Sequence, residues 1–387
     1  MKLCSPKGAQ LNMPGPAPLK QFLRDTIPLW DHVGTPANAR ENLWKIVKCG
    51  TAELGADVFA SATYEKLVCH TCKSRFCCSC GARFGGVWQA EVEAIIPDIA
   101  YQEINFTMPR ALWSLFQHNR DLLNDLPAIG ARAIEYLTAT KHNARVILMV
   151  VPQTYGGFLN FYPHLHTLVS AGGLDESRIQ WIGSLGFGKE EHRHEVMLAW
   201  RFALLAYLDA AIKANVVRSH LSLDELTHIL HNEGKRNWNI FVSRGVPKNT
   251  VINHIGRYIR KPPIAQYRLT RLNAGEVQYL AKDTRKRCLT PVTYTNEEFL
   301  ALLIPHIADR YCNSMRYFGL LAPRSKRLLS VVFDLLKQKQ KPKPARLTWA
   351  MSLAQTFGTY PLIGPDGSVL RKIGFVQPIS ATYTAKL

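Results

Sequence analysis

No stretch of this 387-residue chain runs uninterrupted for about 18 apolar residues, the length a helix needs to cross a bilayer. Its opening segment MKLCSPKGAQLNMP also lacks the apolar core of a secretory signal. The first absence excludes a helical membrane protein, and the second points to the cytosol. Acidic side chains are scarce as well: 29 Asp and Glu stand against 48 Lys and Arg, a formal charge of +19. Each phosphate neutralised by such a surface releases condensed counterions, so the expected partner is nucleic acid. There is no internal repeat. Nor are the nine cysteines scattered evenly, as a disulfide framework would have them. Five fall between Cys69 and Cys80, which suggests metal, while Cys4, Cys49, Cys288 and Cys312 are expected to be reduced thiols. What is present is ordinary globular composition, 47% hydrophobic and 20% charged, in a length suited to two or three domains.

Cys69, Cys72, Cys77 and Cys80 spell C-x2-C-x4-C-x2-C, and each pair can present two thiolates to one tetrahedral zinc. The four-residue gap is short for a zinc knuckle, so Cys49, His70 or Cys78 could supply one ligand instead. Lys73 and Arg75, inside the cluster, suit phosphate contacts.

Downstream, Tyr101 to Pro109 alternates apolar Ile104, Phe106 and Met108 with polar Glu103, Asn105 and Thr107, the pattern of a half-buried strand. Arg110 to Leu126 and Ile129 to Thr140 carry helical spacing, and Arg145 to Val151 reads as a buried strand. Gly156 and Gly157 turn the chain into FYPHLHTLVSAGG. On a strand, His164 and His166 share a face, where both imidazoles can reach one metal ion. The pair His192 and His194 falls in a charged helical segment and reads as solvated surface.

Helices are expected over Lys189 to Asn215, after a capping box at Ser222 and Glu225, and over Val251 to Arg260 until Pro262 and Pro263 stop it. Glu276 to Ala281 reads as strand, Thr295 with Glu298 forms another capping box, and RSKRLLSVVFDLLKQKQKPKPAR is a helix running into a basic linker. Together these elements predict an α+β fold, an antiparallel sheet with helices on one side. In the third of those helices His254, Tyr258 and Lys261 share a face, and Arg257 and Arg260 add positive charge. A tyrosine hydroxyl can attack phosphorus when a divalent ion polarises the phosphate.

CKSRFCCSCG, YQEINFTMPRALWSLFQHNRDLL, PHLHTLVSAGG, HIGRYIRKPPIAQYRL and IPHIADRYCNSMRYFGLLAPRSKR together resemble the rolling-circle transposases of the insertion sequence 91 family, which carry an HUH endonuclease core. The resemblance runs from about Cys49 to Phe375. It implies a zinc-binding module with an N-terminal arm over 1–95, a ferredoxin-like core over 96–290 with a helical insertion at about 185–245, and a basic helical region over 291–387. It further implies that His164, His166 and a third ligand, for which Glu103 is the choice, bind catalytic magnesium or manganese. Tyr258 then attacks a single-stranded DNA phosphate, leaving a 5′-phosphotyrosine and a free 3′-hydroxyl, and Lys261 steadies the scissile phosphate. Such a protein would work in the bacterial cytoplasm, on the nucleoid.

The chain departs from the family pattern in three places. His254 stands where two-tyrosine members have their first tyrosine, so a single-tyrosine cycle is implied. A cysteine pair near Ala60 to Thr63 is absent, with Cys69 standing in, and Gly364 and Gly367 occupy the place of a late pair. A replication initiator or relaxase would share the chemistry, and a non-catalytic DNA-binding descendant is the rival of another class. Tyr155, Phe158 and Tyr162 are candidates for stacking bases of an unpaired strand.

Overall fold

The structure, a computed structural model, describes residues 17–378 apart from 260, 261, 343, 346 and 359. For 2–3, 257–259, 356 and 357 it describes the backbone only. The N-terminal part contains helices α1 (Pro18–Asp25) and α2 (Ala37–Lys48), strands β1 (Ala56–Ala60) and β2 (Glu65–Cys69), and helix α3 (Cys78–Ile95). The middle runs through β3 (Ala100–Phe106), α4 (Arg120–His142), β4 (Ile147–Tyr155), β5 (Phe161–Ser170), α5 (Glu190–Lys213), α6 (Leu223–Gly234), β6 (Ile240–Val242) and α7 (Lys248–Ile259). After it come β7 (Leu269–Asn273), β8 (Glu276–Asp283), β9 (Cys288–Thr295), α8 (Asn296–Leu303), β10 (Arg316–Gly319), α9 (Lys326–Leu335), α10 (Trp349–Phe357) and β11 (Arg371–Val376).

Local chemistry explains several of these boundaries. Ser222 and Glu225 form a reciprocal capping box that opens α6, and Thr295 with Glu298 does the same for α8. Helix α5 has Glu190 and Glu191 in its first turn and Lys213 in its last, complementing the helix dipole at both ends. Where the sequence predicts two helices separated near Pro127, α4 is one continuous helix with Pro127 inside it. Its neighbours Leu126, Ile129 and Ile134 are all buried, and that packing outweighs the hydrogen bond Pro127 cannot donate.

The central sheet has the order β6-β3-β5-β4-β10 with antiparallel neighbours throughout. Numbered by appearance, its first four strands therefore lie 4-1-3-2 in a β-α-β-β-α-β succession. Helices α4 and α5 cover one face, where Ile104, Phe106, Val150 and Leu165 pack against Leu126 and the fully buried Trp200. The opposite face, bearing Tyr101, Met149, Val151 and Leu168, is covered by Trp88 and Val92 of α3, Val251 and Ile255 of α7, and Val332 and Phe333 of α9. Helices thus lie on both sides of the sheet, not one as the sequence suggested. The reason is the uninterrupted apolar run at 147–151, which offers no wettable face. Gln102 and Glu103, on opposite faces of β3, are both buried, on a strand that the sequence presents as half-buried.

A second core joins Leu19, Phe22 and Leu43 of α1 and α2 to Val277 and Tyr279 of β8 and Phe299 of α8. The boundaries expected near 95 and 290 are therefore crossed by packing and by strands. β10 completes the edge of the central sheet, and β11 pairs antiparallel with β1. Gly157, in the β4–β5 turn, accepts from Lys282 N at 3.0 Å. A Cβ there would fall 2.1 Å from the Lys282 carbonyl oxygen, so only glycine permits this docking of the turn on β8.

Candidate functional site

Register fixes the first cluster. In β5, His166 lies opposite Asn105 of β3 and Val151 of β4, and His164 lies opposite Gln153. Directly opposed residues of antiparallel strands share a face, so His164, His166, Asn105 and Gln153 converge, with Glu103 two residues along β3. The face is the one α7 crosses, beyond the apolar contact of Leu168 with Val251 and Ile255. His164, His166, Glu103 and Gln153 are each more than nine-tenths buried.

The hydrogen bonds set the tautomers. His164 Nδ1 donates to the Tyr162 carbonyl at 2.7 Å, and His166 Nδ1 donates to Glu103 Oε1 at 2.8 Å. The two rings turn their Nε2 atoms toward each other, 3.2 Å apart. Two adjacent ligands of an octahedral ion with bonds of about 2.1 Å stand about 3.0 Å apart, so this pair fits one cation. Burial, helped by His166, pushes the His164 ring down to about 3, which keeps its lone pair available at neutral pH.

Glu103, chosen from sequence as the third ligand, lies behind the pair rather than beside it. One oxygen meets His166 Nδ1, and the other lies 3.0 Å from His254 Nε2 on α7. The oxygen next to the two Nε2 atoms belongs to Gln153, whose Oε1 is 3.1 Å from His166 Nε2. Sequence reasoning passed over Gln153 because it ends an apolar run. The available signal was that it stands opposite His164 if the Gly156-Gly157 turn closes a hairpin. Asn105 Oδ1 and Gln153 Nε2 are buried without a hydrogen-bond partner among the described residues.

Tyr258 belongs to the last turn of α7, one turn beyond His254. Its side chain and that of Arg257 lie outside the described residues, as do Arg260 and Lys261 altogether. What is described is the helix that carries Tyr258, packed across the histidine face and tied to it by the contact of His254 Nε2 with Glu103.

The second cluster is built of sulfur. Cys49, Cys72, Cys77 and Cys80 have all their sulfurs within 4.8 Å of one another. Sulfurs of Cys49 and Cys80, and of Cys49 and Cys77, are 3.8 Å apart, and those of Cys72 and Cys80 are 3.7 Å apart. A tetrahedron of thiolates around zinc with bonds of about 2.3 Å has edges of about 3.8 Å, so the donor set and its size both suit zinc. Contacts from the neighbouring cysteines lower the Cys49 thiol and hold that of Cys80 well below the ordinary range, while Cys72 and Cys77 are pushed up.

Cys69, expected as the fourth ligand, is not in this cluster; Cys49 takes its place. Cys69 ends β2 paired with Ala56, which carries it away. Cys49 caps α2, and the adjacent Gly50 N–H donates to the His70 carbonyl at 2.9 Å, drawing Cys49 to the knuckle. The other substitutes are engaged elsewhere: His70 Nε2 lies 3.5 Å from Asp57, and the Cys78 thiol, pushed up to about 12 by burial, donates to the Ile264 carbonyl. Cys288 is disulfide-bonded, against the expectation of a reduced thiol.

Lys73 and Arg75 line a cleft between the knuckle and the end of β4, which Gln153 and Tyr155 also line. Of the expected stacking residues, Tyr162 is already stacked on His164 at 4.7 Å, and Tyr155 packs edge-on against His306. Phe158 is exposed. No helix among the described residues is long and apolar enough to cross a membrane.

Comparison with known proteins gives the family. Residues 148–328 match the family model described as "Putative transposase", and residues 21–108 match the one described as "Transposase zinc-binding domain". The "Transposase for insertion sequence element IS801" of Pseudomonas savastanoi pv. phaseolicola is 30% identical over 354 residues, 88% of this chain and 85% of that protein. The "Putative transposase y4qJ" of Sinorhizobium fredii is 24% identical over 344 residues, 81% and 84% respectively. No solved structure matches. A Cys4 cluster ahead of a histidine-bearing antiparallel sheet, in this company, defines a DNA transposase with a zinc-binding region. The chain belongs to the insertion sequence 91 family of transposases.

Proposed function

We propose that this transposase nicks and rejoins single-stranded DNA at the ends of its mobile element through a covalent 5′-phosphotyrosine on Tyr258, the rolling-circle reaction of HUH endonucleases. The observation that carries the reading is the convergence of the two imidazole Nε2 atoms, 3.2 Å apart, on the face beneath the helix of Tyr258. The 4-1-3-2 strand order supports a ferredoxin-like HUH core within 96–290.

His164 and His166, with the Gln153 oxygen beside them, would hold magnesium or manganese, which supplies Lewis-acid polarisation of the phosphate and stabilises its developing charge. Glu103 fixes the His166 ring from behind and, through His254, holds α7 in place. The Tyr258 phenol loses its proton as its oxygen bonds to phosphorus, the bond from phosphorus to the 3′-oxygen breaks, and that oxygen takes up a proton as the free 3′-hydroxyl. Rejoining is the reverse attack by a 3′-hydroxyl on the phosphotyrosine. Lys261, Arg257 and Arg260 follow or flank Tyr258 and supply positive charge for the strand. Zinc in the Cys49 cluster has a structural role.

The test incubates the full chain with labelled single-stranded element ends and manganese, and resolves protein–DNA adducts on a denaturing gel. Wild type should yield an adduct and Tyr258→Phe none; an adduct surviving in Tyr258→Phe rejects the mechanism. The second reading, a transposase-derived protein that binds DNA without cutting it, is favoured by His254 at the first-tyrosine position. Absence of adduct from wild type with metal bound would select it.

A further inference from the structure

The cleft between the thiol cluster and the central sheet has a volume of about 460 Å³. One wall is the Cys72–Phe76 loop of the knuckle, and the other is the Pro152–Tyr155 end of β4. It meets the histidine pair at Gln153, which belongs to both places. That side chain is 8% exposed; its Oε1 faces His166, and its Nε2 is buried without a hydrogen-bond partner among the described residues. A buried amide donor left without an acceptor where a polar cleft opens calls for an oxygen from a ligand.

The cations around the cleft say which kind. Lys45 and Arg310 are both paired with Glu41, and Arg120 is spent on Asp309 and two carbonyls. Lys73, in contrast, is exposed and has no carboxylate partner among the described residues. Its backbone is in the left-handed region at φ 56°, uncommon for a side chain of this kind, directly after the cluster cysteine Cys72. Ser74 secures the next step of the loop, donating to Asn42 Oδ1 at 3.1 Å and accepting from the Phe76 N–H at 3.2 Å. The thiol cluster therefore dictates where this lysine stands, at the mouth of a cleft that ends in an unsatisfied amide.

We propose that the cleft seats one nucleotide of the single strand next to the phosphate positioned at the histidine pair. The Gln153 amide donates to an oxygen of that nucleotide, Lys73 meets a backbone phosphate, and Tyr155 lies along the base. Volume, a cation at the rim and an aromatic ring in the wall match the requirements of a single-strand binding site. The inference rests on the histidine pair being the cleavage centre, and it makes the zinc knuckle a wall of the substrate channel as well as a structural clip.

The experiment measures binding of a fluorescein-labelled oligothymidine to the zinc-loaded full chain by anisotropy, without magnesium or manganese, over a range of salt. Lys73→Glu should weaken binding about tenfold and flatten the slope of log affinity on log salt by about 0.7, the value of one single-strand phosphate. Gln153→Leu should weaken binding several-fold with the slope unchanged. Wild-type affinity and slope in both cleft variants would overturn the proposal. Should Gln153→Leu not fold, photocrosslinking of wild type to an iodouracil-containing strand decides the point. Crosslinks in 72–76 or 152–155 support the cleft, and crosslinks confined to other segments reject it. Cleavage and cleft can fail separately: crosslinks without a Tyr258 adduct remove the nuclease reading alone, and an adduct without cleft crosslinks removes the cleft alone.

Discussion

At the scale of single residues, Glu103 holds two histidines with its two oxygens, His166 at 2.8 Å and His254 at 3.0 Å. Glu103→Gln leaves the volume intact and removes the charge-assisted acceptor that orients His166. Outer partners of metal-holding histidines commonly contribute ten- to a hundredfold in metal affinity. Manganese titration of adduct formation should therefore shift to about tenfold higher concentration, with the adduct recovered at saturation; an unmoved titration would assign Glu103 a packing role only. For the sulfur cluster, Cys49→Ser should abolish stoichiometric zinc while Cys69→Ser retains it, as read by released zinc after denaturation. The reverse result would restore Cys69 as the ligand.

Elements carry the next set of consequences. His306 lies under the β4–β5 hairpin, its ring bonded to Thr154 Oγ1 at 3.0 Å and to the Leu159 carbonyl at 2.8 Å, and burial pushes it down to about 4. Between that value and the ordinary 6.5 the unfolded chain binds a proton that the folded chain refuses, so stability falls as pH drops through this window. The loss from this one group approaches about 3 kcal/mol near pH 4. Urea midpoints at pH 7.5 and pH 5 should differ less in His306→Phe than in wild type; equal differences would dismiss His306 as the cause. On the other face of the sheet, Trp200 is fully buried and donates to the Thr107 carbonyl at 2.7 Å. Trp200→Ala should cost about 3–5 kcal/mol of folding stability in urea denaturation and detach α5 from the strand of Glu103.

The elements also show what could be read from sequence alone. Strand β5 was legible because period-2 geometry places His164 and His166 on one face whatever their partners, and α6 and α8 were legible because a capping box is local. Gln153 was not legible, and Cys49 was legible only as one of three possible substitutes for a knuckle cysteine. Gln153 enters the cluster only through hairpin register, and Cys49 only through a contact between the turn after α2 and His70, and neither leaves a periodic trace. The helix-covered second face was hidden for a related reason: α3, α7 and α9 reach it from well-separated parts of the chain.

For the whole molecule, the +19 charge and the cleft lead to the same measurement. Affinity for single-stranded DNA should fall steeply and linearly on a logarithmic salt scale, with a slope set by the number of phosphates contacted. A flat response would contradict strand binding at a basic surface. Chelation of zinc should loosen both fold and grip, because the knuckle that packs beside α1, α2 and β8 also orients Lys73.

One pairing reaches beyond the site. Strand β1, beside the knuckle, has β2 on one side and β11, more than 300 residues later, on the other. During synthesis on the ribosome that edge stays open until the last part of the chain has emerged, and an open edge invites association with other chains. A copy of the element with a premature stop codon would thus yield a product lacking its closing strand, prone to clump before it could act on DNA. In this way the architecture would favour intact copies over damaged ones.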